Sequence, residues 1–189
     1  MELRQRALWA LQTSDIQGKV DQSSAIWSQF ASFSIANDDI PEPPGLPGRP
    51  AQPRLVAPTL LPQRSPFTDA GRAALIHAIC HIEFNAINLA LDAVWRFAGM
   101  PADFYRDWMR VAFEEAQHFT LLHDHLQSLG HHYGDFTAHD GLWEMCEKTA
   151  HDGLDRMALV PRVLEARGLD VTPGMIVKLR ARGDEETAG

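Results

Sequence analysis

The sequence predicts an all-α protein. Three observations carry that reading. Apolar residues recur at three- and four-residue spacing over long stretches. No run shows the apolar/polar alternation of a half-buried strand. Nine of the twelve prolines fall in one stretch, 41–66, leaving the rest of the 189 residues largely free of helix breakers.

The elements follow in chain order. Residues 2–37 read as helical, with Leu3, Ala7, Leu8 and Leu11 and then Ile26, Phe30 and Phe33 at helical spacing, and a break near Ser14–Gly18. In 41–66 proline fixes φ and removes backbone donors, so neither a helix nor a central strand is expected. Leu55, Val56, Leu60 and Leu61 would be wasted in a solvated linker, which favours an arm lying on the domain over a free tether. Thr68 or Asp69 can cap a helix running to about Phe97, where Gly99 and Pro101 end it. A second long helix is expected from Pro101 to Leu129, stopped by Gly130. A third should run from His139 or Asp140 to about Arg167 with a kink at Pro161, and a short helix is expected over 174–182. The domain expectation is thus a helical N-terminal extension (1–40), a Pro-rich arm (41–66) and a helical bundle (67–189). The last residues, GDEETAG, read as the first turn of a helix that goes no further.

Bulk properties exclude several classes. A net charge of −8 gives no general attraction to nucleic acid or anionic membranes. Two cysteines, Cys80 and Cys146, with no Cys-x-x-Cys pair, fit a reducing compartment and argue against a disulfide framework or zinc ribbon. The N-terminus lacks the core of a signal peptide, and no run approaches the length of a membrane span. A cytoplasmic protein without a membrane partner is expected. Phosphate-binding loops, nucleophile elbows and Ser/Cys/His arrangements suited to nucleophilic catalysis are absent from the sequence.

The residues suited to chemistry are few. In Phe113-Glu114-Glu115-Ala116-Gln117-His118, Glu115 and His118 stand three apart on one helical face. Their neighbours at helical spacing are Trp108, Val111, Ala112, Phe119 and Leu122, an apolar stripe where a charge is costly unless paired or metal-bound. An inward Glu-x-x-His is a ligand unit of di-iron carboxylate bundles. Glu83 stands on a second apolar stripe with Ile76, Ile79, Cys80, Ile87, Ala90 and Val94, so it is expected protonated, salt-bridged or cation-bound. Glu114 shares its face with Asp107, Arg110 and Gln117 and reads as a surface residue. His77 and His81, with Asn85 and Asn88, read as a polar helix face or as hydrogen-bonding support rather than a metal pair. His123, His125, His131 and His132 crowd a helix C-terminus, where positive charge is favourable, and read as solvated. Asp92 and Asp152 are expected to form mid-helix salt bridges. Glu165 lies on a mixed face that by periodicity alone suggests an ion pair.

The motifs HAICHIEFNAINLALDAVWRF, EEAQHF, YGDFTAHDGLWEM and MALVPRVLEARGLDVTPGM closely resemble an uncharacterised bacterial family, a domain of unknown function assigned to the ferritin-like superfamily. The resemblance covers about residues 41–189 and extends, more distantly, to di-iron hydroxylases that modify tRNA. It implies a ferritin-like four-helix bundle that is truncated before its fourth helix. It assigns Glu83, Glu115, His118 and Glu165 as metal ligands, with Fe or Mn as the cofactor and two ions in an intact site. The family's Glu-x-x-His-like run on the fourth helix has no counterpart here. Without it the ligands face water or another subunit, so a homo-oligomer is an open expectation, and neither substrate nor redox partner is named. Two functions follow: a di-metal carboxylate protein, in its stronger form an O2-activating oxidoreductase, or a non-enzymatic helical metal buffer or interaction scaffold.

Overall fold

The computed structural model describes residues 2–160 together with 174, 176, 177 and 180. The all-α class holds: the described residues form six α-helices and no strand, with two isolated parallel bridges, Glu2–Ser34 and Leu55–Ala138. The helices are α1 (Leu3–Gln12), α2 (Ile16–Ser28), α3 (Asp69–Arg96), α4 (Ala102–Ser128), α5 (Gly141–Lys148) and α6 (Gly153–Leu159). Two compact units share them: Met1–Gln52 with Glu83–Phe119, and Pro53–Ile82 with Thr120–Gly189.

In the first unit, α1 starts where the Glu2 carboxylate accepts the Arg4 and Gln5 amides, and it buries Leu3, Ala7, Leu8 and Leu11. The break falls at residues 13–15, where Asp15 caps α2 by accepting Gly18 N at 2.6 Å. The expected helix to residue 37 stops earlier. After a 3-10 turn at Phe30–Ser32 the chain extends, because Ser34 O accepts Leu3 N and holds that stretch against the start of α1. A distant backbone partner overrides local propensity here.

Arg4 is the largest fully buried side chain of this unit. Its guanidinium donates to the carbonyls of Trp95, Ala36 and Asp38 at 2.7–3.1 Å, so its charge is solvated by peptide dipoles rather than by a carboxylate. Arg96 donates to the buried Asp92 and to Glu42, confirming the salt bridge expected of Asp92. The turn between α3 and α4 is closed by Tyr105, whose hydroxyl donates to Phe97 O at 2.8 Å and accepts Met100 N at 3.1 Å. Gly99 and Gly130, the expected stops of the two long helices, take positive φ of 72° and 78°, a region that residues with a Cβ avoid.

The second unit packs Ala73 and Ile76 of α3 against Leu126 of α4, with Leu122, Leu129 and Phe136 around them. The single third helix expected to Arg167 is interrupted at Thr149–Asp152. Asp152, expected in a mid-helix salt bridge, instead caps α6 by accepting the Leu154 and Asp155 amides. Arg156, buried, donates back to Thr149 Oγ1 at 2.7 Å and Cys146 O at 2.6 Å and so fills the corner. The expected Pro161 kink lies outside the described residues, whereas residues 174, 176, 177 and 180 are helical.

Residues 41–66 contain one 3-10 turn, Pro58–Leu60. Within the first unit Gly48 N donates to Leu11 O, and within the second Val56 N donates to Ala138 O and Ala138 N to Arg54 O. Leu55, Val56 and Leu61 are half-buried while Leu60 stays exposed. One expectation needs correction: by length and composition α3 is sufficient to cross a membrane. Its most apolar stretch is 61 % buried inside the protein, as a core helix would be.

Candidate metal centre

Glu83 of α3 and Glu115 and His118 of α4 meet in the first unit. One ligand atom from each can be chosen so that all three lie within 4.8 Å of one another. Among the described residues this is the group of three His, Cys, Asp or Glu donors that converges in this way. The helix period accounts for half the geometry, since residues three apart stack on one face; His118 Nδ1 lies 3.2 Å from Glu115 Oε2. The other half comes from the facing helix. Phe84 and Phe119 each follow a donor in the sequence, are buried, and pack ring to ring at 5.2 Å, which brings the two helices together there. Ala112 and Ala116, also buried, keep the α4 surface low on the same side.

The burial is graded. Glu83 is half-buried, the Glu115 side chain is 19 % exposed and that of His118 56 %. His118 thus stands at the exposed edge of the apolar stripe read from the sequence, although Phe119 beside it is buried. Two ionised carboxylates within 4.8 Å of each other repel by about 1 kcal/mol or more even in surroundings as polar as water. A divalent cation between them reverses the sign of that energy. Two oxygen donors and one imidazole form a set suited to Fe or Mn and leave coordination positions open. The residues present thus fit such an ion.

The other candidates separate from this centre. Glu165 lies outside the described residues. Glu114 is exposed and pairs with Arg110 at 3.7 Å, the surface role expected of it. His77, His81, Asn85 and Asn88, read as a polar helix face or as hydrogen-bonding support, are all buried. The hydrogen-bonding alternative holds for the two histidines. His81 Nε2 donates to His139 O at 3.1 Å, which leaves Nδ1 to accept from the Tyr133 hydroxyl at 2.8 Å. His77 Nε2 accepts Gly134 N at 2.9 Å, and its ring stacks on Tyr133. An imidazolium could not accept that amide. Burial pushes the His77 pKa down to about 4, against a smaller opposing pull from Asp135. Tyr133 had no sequence signal beyond its place in the loop HHYGDF. The histidines at the end of α4 are mostly half-buried rather than solvated; His131 faces Asp135 at 3.6 Å.

A pH prediction follows from His77. Its folded-state pKa is about 4, below the ordinary value of about 6.5 that the unfolded chain shows. Between these values the unfolded chain binds the extra proton. Stability therefore falls as pH drops from about 6.5 to about 4, with a limiting slope of about 1.4 kcal/mol per pH unit from this residue. Urea denaturation across that window should show the decline, and His77→Gln, which keeps an acceptor for Gly134, should flatten it.

Residues 12–189 match the family described as "Protein of unknown function (DUF455)". The chain belongs to this family. A relative from Haemophilus influenzae, described as an uncharacterized protein, is 58 % identical over 142 residues, covering 71 % of this chain and 49 % of that protein. The chain thus spans about half the length of the curated relative it matches. No solved structure matches it. In this DUF455 chain all three converging donors, and the Phe84–Phe119 ring pair, lie inside the family match.

Proposed function

We propose that this DUF455 chain is a ferritin-like metal carboxylate protein that binds iron or manganese through Glu83, Glu115 and His118. The convergence of these three donors to within 4.8 Å carries the reading. Support comes also from the two long antiparallel-capable helices that bear them and from the Glu-x-x-His spacing, both features of carboxylate bundles. Glu165 is proposed as a further donor on the strength of the sequence resemblance. When bound, iron or manganese supplies Lewis acidity and electron-transfer chemistry toward O2 at its open positions. The chain's own contribution is to hold two carboxylates on facing helices and to place the imidazole at the solvent edge of the site. The oxidoreductase is the stronger form of the proposal.

The test is elemental analysis of the purified chain after anaerobic loading with Fe(II) or Mn(II) and desalting. At least one ion retained per chain is the expected result; retention of none sinks the proposal. The exposure of His118 favours a second reading, a metal buffer or scaffold without turnover. Rapid removal of the ion by a chelator, with no O2 consumed on Fe(II) loading, would select it.

A further inference from the structure

Lys19 of α2 is fully buried, and its hydrogen-bond partners among the described residues are uncharged. Its Nζ donates to Asn88 Oδ1 of α3 and, at 2.8 Å, to Gly48 O, and it lies 5.2 Å from the centre of the Phe84 ring. Gly48 is pinned from its other side as well, because its amide donates to Leu11 O at 2.8 Å, at the end of α1. The approach is so close that a Cβ on Gly48 would fall 2.0 Å from Gln12 O. One amine thus ties the strap around residues 46–50 to two helices, all within the first unit. Two neutral oxygens and a ring face do not replace the hydration that a buried ammonium loses.

We propose that Lys19 is a proton-operated clasp: the neutral amine holds the strap closed over α1 and α3, and protonation favours its release. Among the described residues the charge acting on the amine is that of Arg49, on the strap itself, while α3 presents the uncharged Asn88 and Phe84. Burial first, and then Arg49, push the Lys19 pKa down to about 7. With the strap open the amine meets water and regains an ordinary value near 10.4. The sign follows by linkage. The open form binds the proton more tightly, so opening is most populated below about pH 7. It falls about tenfold per pH unit as the pH rises from about 7 toward 10.

Amide exchange at Gly48, measured by NMR in the full chain from pH 6 to 9, tests this without reference to metal. The protection factor should be flat below about pH 7 and rise about tenfold per unit above it. In Lys19→Met the pH dependence should vanish. A flat wild-type profile, or an unchanged slope in Lys19→Met, overturns the proposal. Should Lys19→Met fail to fold, the 15Nζ titration of wild-type Lys19 decides instead: a midpoint near 7 supports the clasp and one above 9 overturns it.

Discussion

Replacing Glu115 and His118 together by alanine lowers Fe(II) or Mn(II) affinity by more than about 100-fold, a loss at least as large as that caused by removing residues that merely orient metal ligands. Two of the three converging donors disappear, the imidazole among them, and Glu83 is the one of the three that remains. The fold should survive, because His118 is largely exposed and Glu115 is not among the fully buried side chains. Calorimetric titration of the variant against the wild type measures the first effect and circular dichroism the second. Unchanged affinity in a folded variant would remove these residues from any metal role. Unchanged or raised stability together with unchanged metal content would favour the scaffold.

The largest structural effect is expected at Arg4. Arg4→Met keeps the apolar stem but strips the hydrogen bonds from the carbonyls of Trp95, Ala36 and Asp38. Buried acceptors left without donors cost about 1–3 kcal/mol each before relaxation or water entry, so a total loss on the order of 3–5 kcal/mol is expected. Arg4→Lys should recover little, since one ammonium cannot reproduce a planar fork reaching three carbonyls. The urea midpoint should drop with little change in slope. A loss below about 1 kcal/mol would show that water replaces the guanidinium.

The two long helices were legible because their punctuation is local. Thr68 accepts the Gly71 amide at the start of α3, Gly99 ends the turn after it, and Gly130 follows α4. Each observed end lies within one or two residues of the expected one. The break at Thr149–Asp152 was not legible. Nothing in that stretch forbids a helix, and the corner depends on Arg156 reaching back to Cys146 and Thr149. The same holds for Lys19 and Arg4: no sequence pattern singles them out, and each is buried by partners far along the chain. At the site, periodicity picked out Glu83, Glu115 and His118 because apolar neighbours surround each of them. It could not show that His118 stands at the exposed edge of the stripe, since exposure there depends on what stands opposite, and periodicity reports only one helix. The burial of His77 and His81 was missed for the same reason, as their cover comes from the loop holding Tyr133 and Gly134.

The hydroxyl of Tyr105 bears on the order in which the molecule assembles. It joins backbone groups only five and eight residues away, whereas Arg4 reaches across 91 residues to Trp95. The entropy lost in closing a loop grows with its length, and contacts close in sequence form sooner. Loop length therefore favours the hairpin of α3 and α4 forming before those long-range contacts, and that hairpin carries the three converging donors. On that order Glu83, Glu115 and His118 meet before Arg4 reaches Trp95, so their convergence does not wait for the N-terminal helix to dock.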